Sequence, residues 1–305
     1  MKKEMKKEDT LAIIVPCYNE EEIIESSIEE LLKVLNNLKD SGKISQDSYI
    51  SFIDDGCTDS TWEKLVQASM KDKNIHAIKL LYNSGQQGAM YCGMVENDAD
   101  IYITIDCDLQ DDINAIPEMV EKYLLNQVDV VYGVRNDRNT DTFFKRVAAE
   151  IYYKLNSTIL SISGKKGGLY NHSEFRLVSK NVVKFLKQIK EHNLYLRGLI
   201  YNKNFKHEIV YFCRKKRKAG FSKYNIFSLT ELAINGIVNQ TILPLRLIFA
   251  FALIFLIISI FTKSSLFFSS SINLFAIGLL GEYLGKVFVE VQNRPKYTIQ
   301  DKINY

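Results

Sequence analysis

Apolar and polar positions alternate between two periods over residues 11 to 134. "LAIIVP" is a short apolar run that Pro16 should stop, and it reads as a strand. Residues 21 to 39 then place Ile24, Ile28, Leu31, Leu32, Leu35 and Leu38 at helical spacing. "YISFIDDG", "IHAIKLL", "DIYITID" and "VDVVYGV" repeat the strand pattern. Between them, "DSTWEKLVQAS", Gln86 to Asn97 and Asn114 to Asn126 read as helices. Ser60 and Glu63 have capping-box spacing, and Pro117 falls in a first turn, where its missing N–H costs nothing. Strand and helix in strict alternation predict an α/β domain with a mostly parallel sheet covered on both faces.

Further on, Phe143 to Ile162 has amphipathic helical spacing, and "EFRLVSKNVVKFLKQI" reads as a strand running into a helix. Residues 226 to 241 predict an apolar-rich juxtamembrane helix. Two long apolar stretches follow. Ile242 to Phe261 has one charge, Arg246, and "LFFSSSINLFAIGLLGEYLGK" has none before Glu282. Each approaches the ~20 residues that span a hydrocarbon layer. A buried hairpin in a soluble protein is the competing reading, and 15 uncharged residues after Arg246 count against it. Residues 242–286 are therefore expected to form two transmembrane helices. Arg246 on one flank and Lys286, Arg294 and Lys296 on the other place both flanks in the cytoplasm. Residues 1–10 read as a solvated leader, 11–225 as the catalytic domain and 287–305 as a cytoplasmic tail.

Composition narrows the chemistry. The 305 residues are 47% hydrophobic, enough for a large core, and the net charge of only +3 argues against a nucleic-acid partner. Five cysteines with no CxxC pair suit reduced thiols rather than a disulfide frame or a zinc site. The four histidines show no metal-ligand spacing.

Polar motifs fall after the predicted strands: "CYNEEE", "DDGCTDST", "NSGQQGA" and "DCDLQDD". Ligands of open α/β sheets bind beyond the carboxyl ends of strands, so the four together predict one site. Asp106 and Asp108, at i and i+2 on an extended turn, can face one cation, and Mg²⁺ or Mn²⁺ takes such oxygen ligands together with substrate phosphates. Asp54, at the end of the second strand, is placed to accept from a nucleobase N–H or a ribose hydroxyl. The basic loop Arg214 to Lys223 suits phosphate groups or anionic lipid headgroups.

Taken in order, "VPCYNEEE", "DDGCTDST", "NSGQQGA", "DCDLQDD", "EFRLVS", "RKAGFSKY" and "LLGEYLGKVFVEVQNRPKY" resemble family 2 glycosyltransferases that load sugars onto polyprenyl phosphate, the bactoprenol glucosyltransferases and dolichol-phosphate mannose synthases. The resemblance implies a Rossmann-like GT-A catalytic domain with a C-terminal transmembrane hairpin. It implies inverting transfer of glucose or N-acetylglucosamine from a UDP-sugar to undecaprenyl phosphate at the cytoplasmic membrane face. GDP-mannose is the runner-up donor, and a non-catalytic assembly subunit is a further alternative. By position, Pro16, Tyr18, Glu20 and Asp54 would line the nucleobase pocket. Asp106, Asp108 and Gln110 would hold the metal and diphosphate. Arg135, Arg138, Arg217, Ser222 and Lys223 would bind donor or acceptor phosphates, with Asp108, Glu174, Arg217 and Lys223 nearest the chemistry. Glu174 stands where such relatives carry an aspartate that acts as base or positions the acceptor. Relatives of this type self-associate, so a homo-oligomer is left open. A processive polysaccharide synthase would need a Gln-x-x-Arg-Trp motif, and the sole tryptophan is Trp62.

Overall fold

The computed structural model describes residues 8–136, 172–191, 194–203, 205–213, 266–292 and 294–305. The first half follows the periodicity closely. Strands β1 (Leu11–Cys17), β2 (Tyr49–Asp54), β3 (Ile75–Leu80), β4 (Ile101–Thr104) and β5 (Val130–Arg135) alternate with helices α1 (Ile24–Asp40), α2 (Thr61–Lys71), α3 (Gly85–Glu96) and α4 (Ile116–Asn126). Beyond them come β6 (His172–Ser179), α5 (Lys180–Lys187), α6 (Leu196–Asn202), β7 (His207–Phe212), α7 (Leu266–Gln292) and β8 (Ile299–Ile303).

One eight-stranded sheet runs in the order β7-β5-β6-β4-β1-β2-β3-β8. Parallel pairing joins β1 to β2 and β4, β2 to β3, and β5 to β7. β6 is antiparallel to both β4 and β5, and β8 is antiparallel to β3. The carboxyl ends of β1, β2, β3, β4, β5 and β7 therefore share one edge, and the reversed β6 begins there. Alternate side chains feed two cores, as the pleat requires. Leu11, Ile13, Val15, Phe52, Ile101, Ile103 and Ile105 pack toward α1 and α4, while Ala12, Ile14, Ile53, Tyr102 and Val178 pack toward α3 and α5.

Two local features differ from the periodic reading. β1 continues one residue beyond Pro16 to Cys17. The Ser60–Glu63 capping box does not form: the Ser60 hydroxyl donates to Glu21 Oε2 at 2.6 Å, and Asp59 Oδ1 accepts from Thr61 N at 3.0 Å instead. A carboxylate from the neighbouring loop outcompetes the helix's own N–H for that hydroxyl.

The expected C-terminal layout changes more. Residues 242–261 lie outside the described residues. The second apolar stretch belongs to a continuous 27-residue helix, α7, which runs six residues past Lys286. Among the described residues no helix is long and apolar enough to cross a membrane. Ser269 to Ser271, Asn273, Glu282, Lys286 and Glu290 interrupt α7's apolar character, and the transmembrane hairpin is not part of what the structure shows. Phe275, Ile277, Leu284, Phe288 and Val291 are exposed along it.

The segment set apart as a tail completes the sheet. β8 pairs with β3, Leu81 N donates to Thr298 O at 2.8 Å, and Asn304 Nδ2 donates to Ser69 O and Ile75 O. Lys302 Nζ and the Tyr297 hydroxyl both reach Glu96, at 2.7 and 2.6 Å.

Candidate active site

The turns after β1 and β2 are laced to each other. Asn19, at φ 53, accepts at Oδ1 from Thr58 N at 2.8 Å. Glu20 N donates to Thr61 Oγ1, and Asp55 N donates to Cys17 O, both at 2.9 Å. Pro16 is half-buried beside these turns and Tyr18 is exposed. Asp54 is fully buried. Its Oδ1 accepts from Cys57 N at 3.0 Å, whereas Oδ2 has no partner. Burial raises its pKa above the usual carboxylate range. A buried acceptor without a donor is costly, and a ligand N–H would relieve it.

Asp55 serves a different purpose. Its Oδ1 accepts from Ser84 N at 2.6 Å and ties the β2 turn to the start of α3. Burial pushes its pKa up to about 6. Gly56 lies between these turns at φ +69, and a Cβ there would sit 2.7 Å from Asn83 N and Tyr82 C. Only glycine combines that backbone angle with that approach.

The acidic turn leaves β4 beside them. Leu109 N closes it by donating to Asp106 O at 3.2 Å. Leu109 adopts φ 45, a strained angle for a branched side chain costing ~1–2 kcal/mol. Burial of its side chain in the α1–α4 core offsets that cost. Ser27 Oγ donates to Cys107 O at 2.7 Å and pins the turn to α1. Asp106, Asp108 and Gln110 are half-buried, and Gln110 N donates to Asp108 Oδ1 at 3.2 Å. Asp106 Oδ1 accepts from Gln86 Nε2 at 2.6 Å. Burial, then the charges of Asp111 and Asp108, push the Asp106 carboxyl up to about 6. Arg135, at the end of β5, contacts the buried Asp111 at 3.4 Å.

This acidic turn fits a divalent cation. Three carboxylates crowd one another, and a cation would relieve their mutual repulsion. Among the described residues no group of three or more His, Cys, Asp or Glu side chains could hold an ion alone. Mg²⁺ commonly takes one or two carboxylates and completes its shell with substrate phosphates and water.

Glu174 comes to the same edge from β6. Thr104 pairs with Arg176, so Asp106, two residues on, falls level with Glu174. Thr104 Oγ1 donates to Glu174 O at 2.5 Å. The Glu174 carboxylate is buried and engaged twice. Oε2 accepts from Arg176 Nη2, and Oε1 accepts from Arg197 Nε and lies 3.0 Å from its Nη2. Arg138, Arg217, Ser222 and Lys223 lie outside the described residues. β7 ends at Phe212, paired with Arg135, on this same edge.

Sequence reading missed Gln86, Gln87, Arg176 and Arg197. Gln87 Oε1 accepts from Leu196 N at 3.1 Å and docks α6 beside the site. The "GQQG" stretch after β3 carried the signal for the two glutamines. Arg197 had none, because only the fold brings α6 against β6.

The turns at the carboxyl ends of the strands thus bring a buried acceptor, an acidic turn and a guanidinium to one edge of an α/β sheet. The chain belongs to glycosyl transferase family 2, whose family match covers residues 12–186. It is a glycosyltransferase with a GT-A-like fold. It is 37% identical over 311 residues to the uncharacterized glycosyltransferase YkoT of Bacillus subtilis (strain 168), covering 95% of this chain and 90% of that one. It is 32% identical to the bactoprenol glucosyl transferase of Shigella phage SfII, covering 95% and 97%. The Mycobacterium tuberculosis glucosyl-3-phosphoglycerate synthase, solved with Mn²⁺, UDP-glucose and phosphoglyceric acid, shares the fold with a TM-score of 0.50 at 16% identity. That match covers 76% of this chain and 79% of that one.

Proposed function

We propose that this glycosyltransferase moves glucose or N-acetylglucosamine from a UDP-sugar to polyprenyl phosphate, undecaprenyl phosphate in bacteria, at the cytoplasmic membrane face. The observation that carries this reading is the likeness to bactoprenol glucosyl transferases over nearly the full length of both chains. At 95% coverage of this chain it extends well past residue 213 and into α7, where a soluble-acceptor enzyme has no need of exposed apolar residues.

The roles follow from the geometry. The β1 and β2 turns receive the nucleoside, with Asp54 Oδ2 accepting from the base or ribose. Asp106 and Asp108, with Gln110 beside them, would hold Mg²⁺ or Mn²⁺, which neutralises charge growing on the leaving diphosphate. Gln86 holds Asp106 through Oδ1 at 2.6 Å. Arg135 adds a cation at the diphosphate side.

The attacking oxygen belongs to a lipid phosphate whose second pKa is ~6, so it arrives ionised at neutral pH. It needs positioning more than deprotonation. Residues 214–223 contribute cations to that positioning, and Arg217 and Lys223 are the members of the basic loop assigned to phosphate. The exposed apolar residues of α7 and the uncharged run 247–261 bring the acceptor's membrane close.

The direct test incubates the purified full chain with labelled polyprenyl phosphate and a panel of UDP-glucose, UDP-N-acetylglucosamine and GDP-mannose. The reading expects a glycosylated lipid with one of the UDP-sugars, dependent on added Mg²⁺ or Mn²⁺. Transfer only to water-soluble acceptors would refute it.

A further inference from the structure

We infer that Arg197 is an anion-binding residue of this site, recruiting a phosphate oxygen of a phosphate ester or diphosphate, and that Glu174 is the positioning residue that presets it. The inference rests on the transferase reading for its substrates, and its geometry stands independently.

Three charged side chains form a row at the active edge. Arg176 is 2% exposed, Glu174 9%, and the Arg197 side chain 25%, so only the last presents appreciable surface to a ligand. Glu174 binds Arg176 through Oε2 and Arg197 through Oε1. Arg197 meets it side-on, with Nε at 3.1 Å and Nη2 at 3.0 Å. A guanidinium is a planar fork, so fixing one edge fixes the direction of the other. The Nη1 edge takes no part in holding Glu174.

This arrangement assigns Glu174 a role other than proton acceptor. Both of its carboxylate oxygens are already taken by guanidinium N–H groups. Arg176 Nη1 has no hydrogen-bond partner, and burial, then the Arg197 charge, pulls the Arg176 pKa down to about 10. The anion of Glu174 is what lets these two cations lie side by side. Its carboxylate stays committed to them, and the cluster as a whole keeps net positive charge beside Asp106.

The surroundings hold the row in register with the acidic turn. Gln86 binds Asp106, and the adjacent Gln87 accepts from Leu196 N, the residue before Arg197. The first turn of α3 therefore sets the distance between the acidic turn and Arg197. A guanidinium on this belt, held in register with the acidic turn, is suited to an oxyanion.

Arg197→Lys keeps the positive charge that Glu174 needs and removes the fork, and Glu174→Gln removes the preset. Each is measured in two arms that need no turnover: calorimetric binding of UDP with Mn²⁺, and binding to vesicles with and without polyprenyl phosphate. We expect Arg197→Lys to weaken one arm about tenfold, the scale of one charge-assisted hydrogen bond. Glu174→Gln should weaken the same arm. Loss in the UDP arm assigns Arg197 to the donor diphosphate, and loss in the vesicle arm assigns it to the acceptor phosphate. Both arms within twofold of wild type, in a variant with unchanged far-ultraviolet dichroism, overturn the inference. So does a Glu174→Gln enzyme that binds normally yet loses the acidic limb of its kcat–pH profile, since that is the mark of a base. Should Glu174→Gln misfold, Glu174→Asp, which keeps the charge and shortens the reach, takes its place under the same criteria. If the wild-type chain glycosylates no lipid, the transfer reading fails while the binding arms still decide Arg197.

Discussion

Carboxylates three positions or fewer apart do unlike work here, and burial with partnering explains the division. Asp54 keeps an orphaned buried oxygen, while Asp55 spends its own on the backbone of Ser84. Asp106 and Asp108 crowd each other at the acidic turn. Asp108→Ala should abolish sugar transfer, at least a 10²-fold loss in kcat, while leaving the melting temperature within a few degrees of wild type. Normal turnover in that variant would remove the assigned role.

Asp55 carries a pH signature of opposite character. Its folded pKa of about 6 lies above the ordinary 3.8, so its contribution to stability is fullest at low pH. That contribution is lost as pH rises from about 4 to about 6, because the fold then holds a proton that the unfolded chain has released. Asp55→Asn should therefore gain stability relative to wild type over that interval, read as a melting-temperature difference that widens from pH 4 to pH 6.5. A constant difference would show that Asp55 does not titrate there.

Among the elements, β6 and β8 matter most for how the site is assembled. β6 runs against β4 and β5, so its first residues rather than its last reach the catalytic edge and bring Glu174 level with Asp106. β8 closes the opposite side, and Tyr305, two residues beyond it, has its hydroxyl 2.6 Å from Ser51 Oγ. Asn304, at φ 63, stitches β8 to two main-chain carbonyls. Asn304→Ala should cost ~1–3 kcal/mol in chemical unfolding, since it strands both acceptors and strains the backbone. A change below 0.5 kcal/mol, the ordinary scatter of surface substitutions, would count against β8 as a structural strand.

At the scale of the whole molecule, two kinds of surface are present among the described residues. The sheet edge gathers acidic and basic groups, and α7 leaves apolar side chains uncovered. Chelation with EDTA should abolish transfer and return of Mg²⁺ or Mn²⁺ should restore it, with secondary structure constant in circular dichroism throughout. Activity that persists through chelation would show that the acidic turn works without an ion.

Periodicity alone located β1 to β5 and their helices to within a few residues, because each buries one face and the spacing of apolar side chains records it. The same holds for the turns that carry Asp54, Asp106 and Asp108, since α/β connectivity forces them to one edge. Strand order, the reversal of β6, the capture of residues 299–303 as β8 and the approach of Arg197 to Glu174 were decided in three dimensions. Those contacts join segments far apart in the chain, and no local pattern of side chains encodes which distant partner will satisfy a buried charge or an open strand edge.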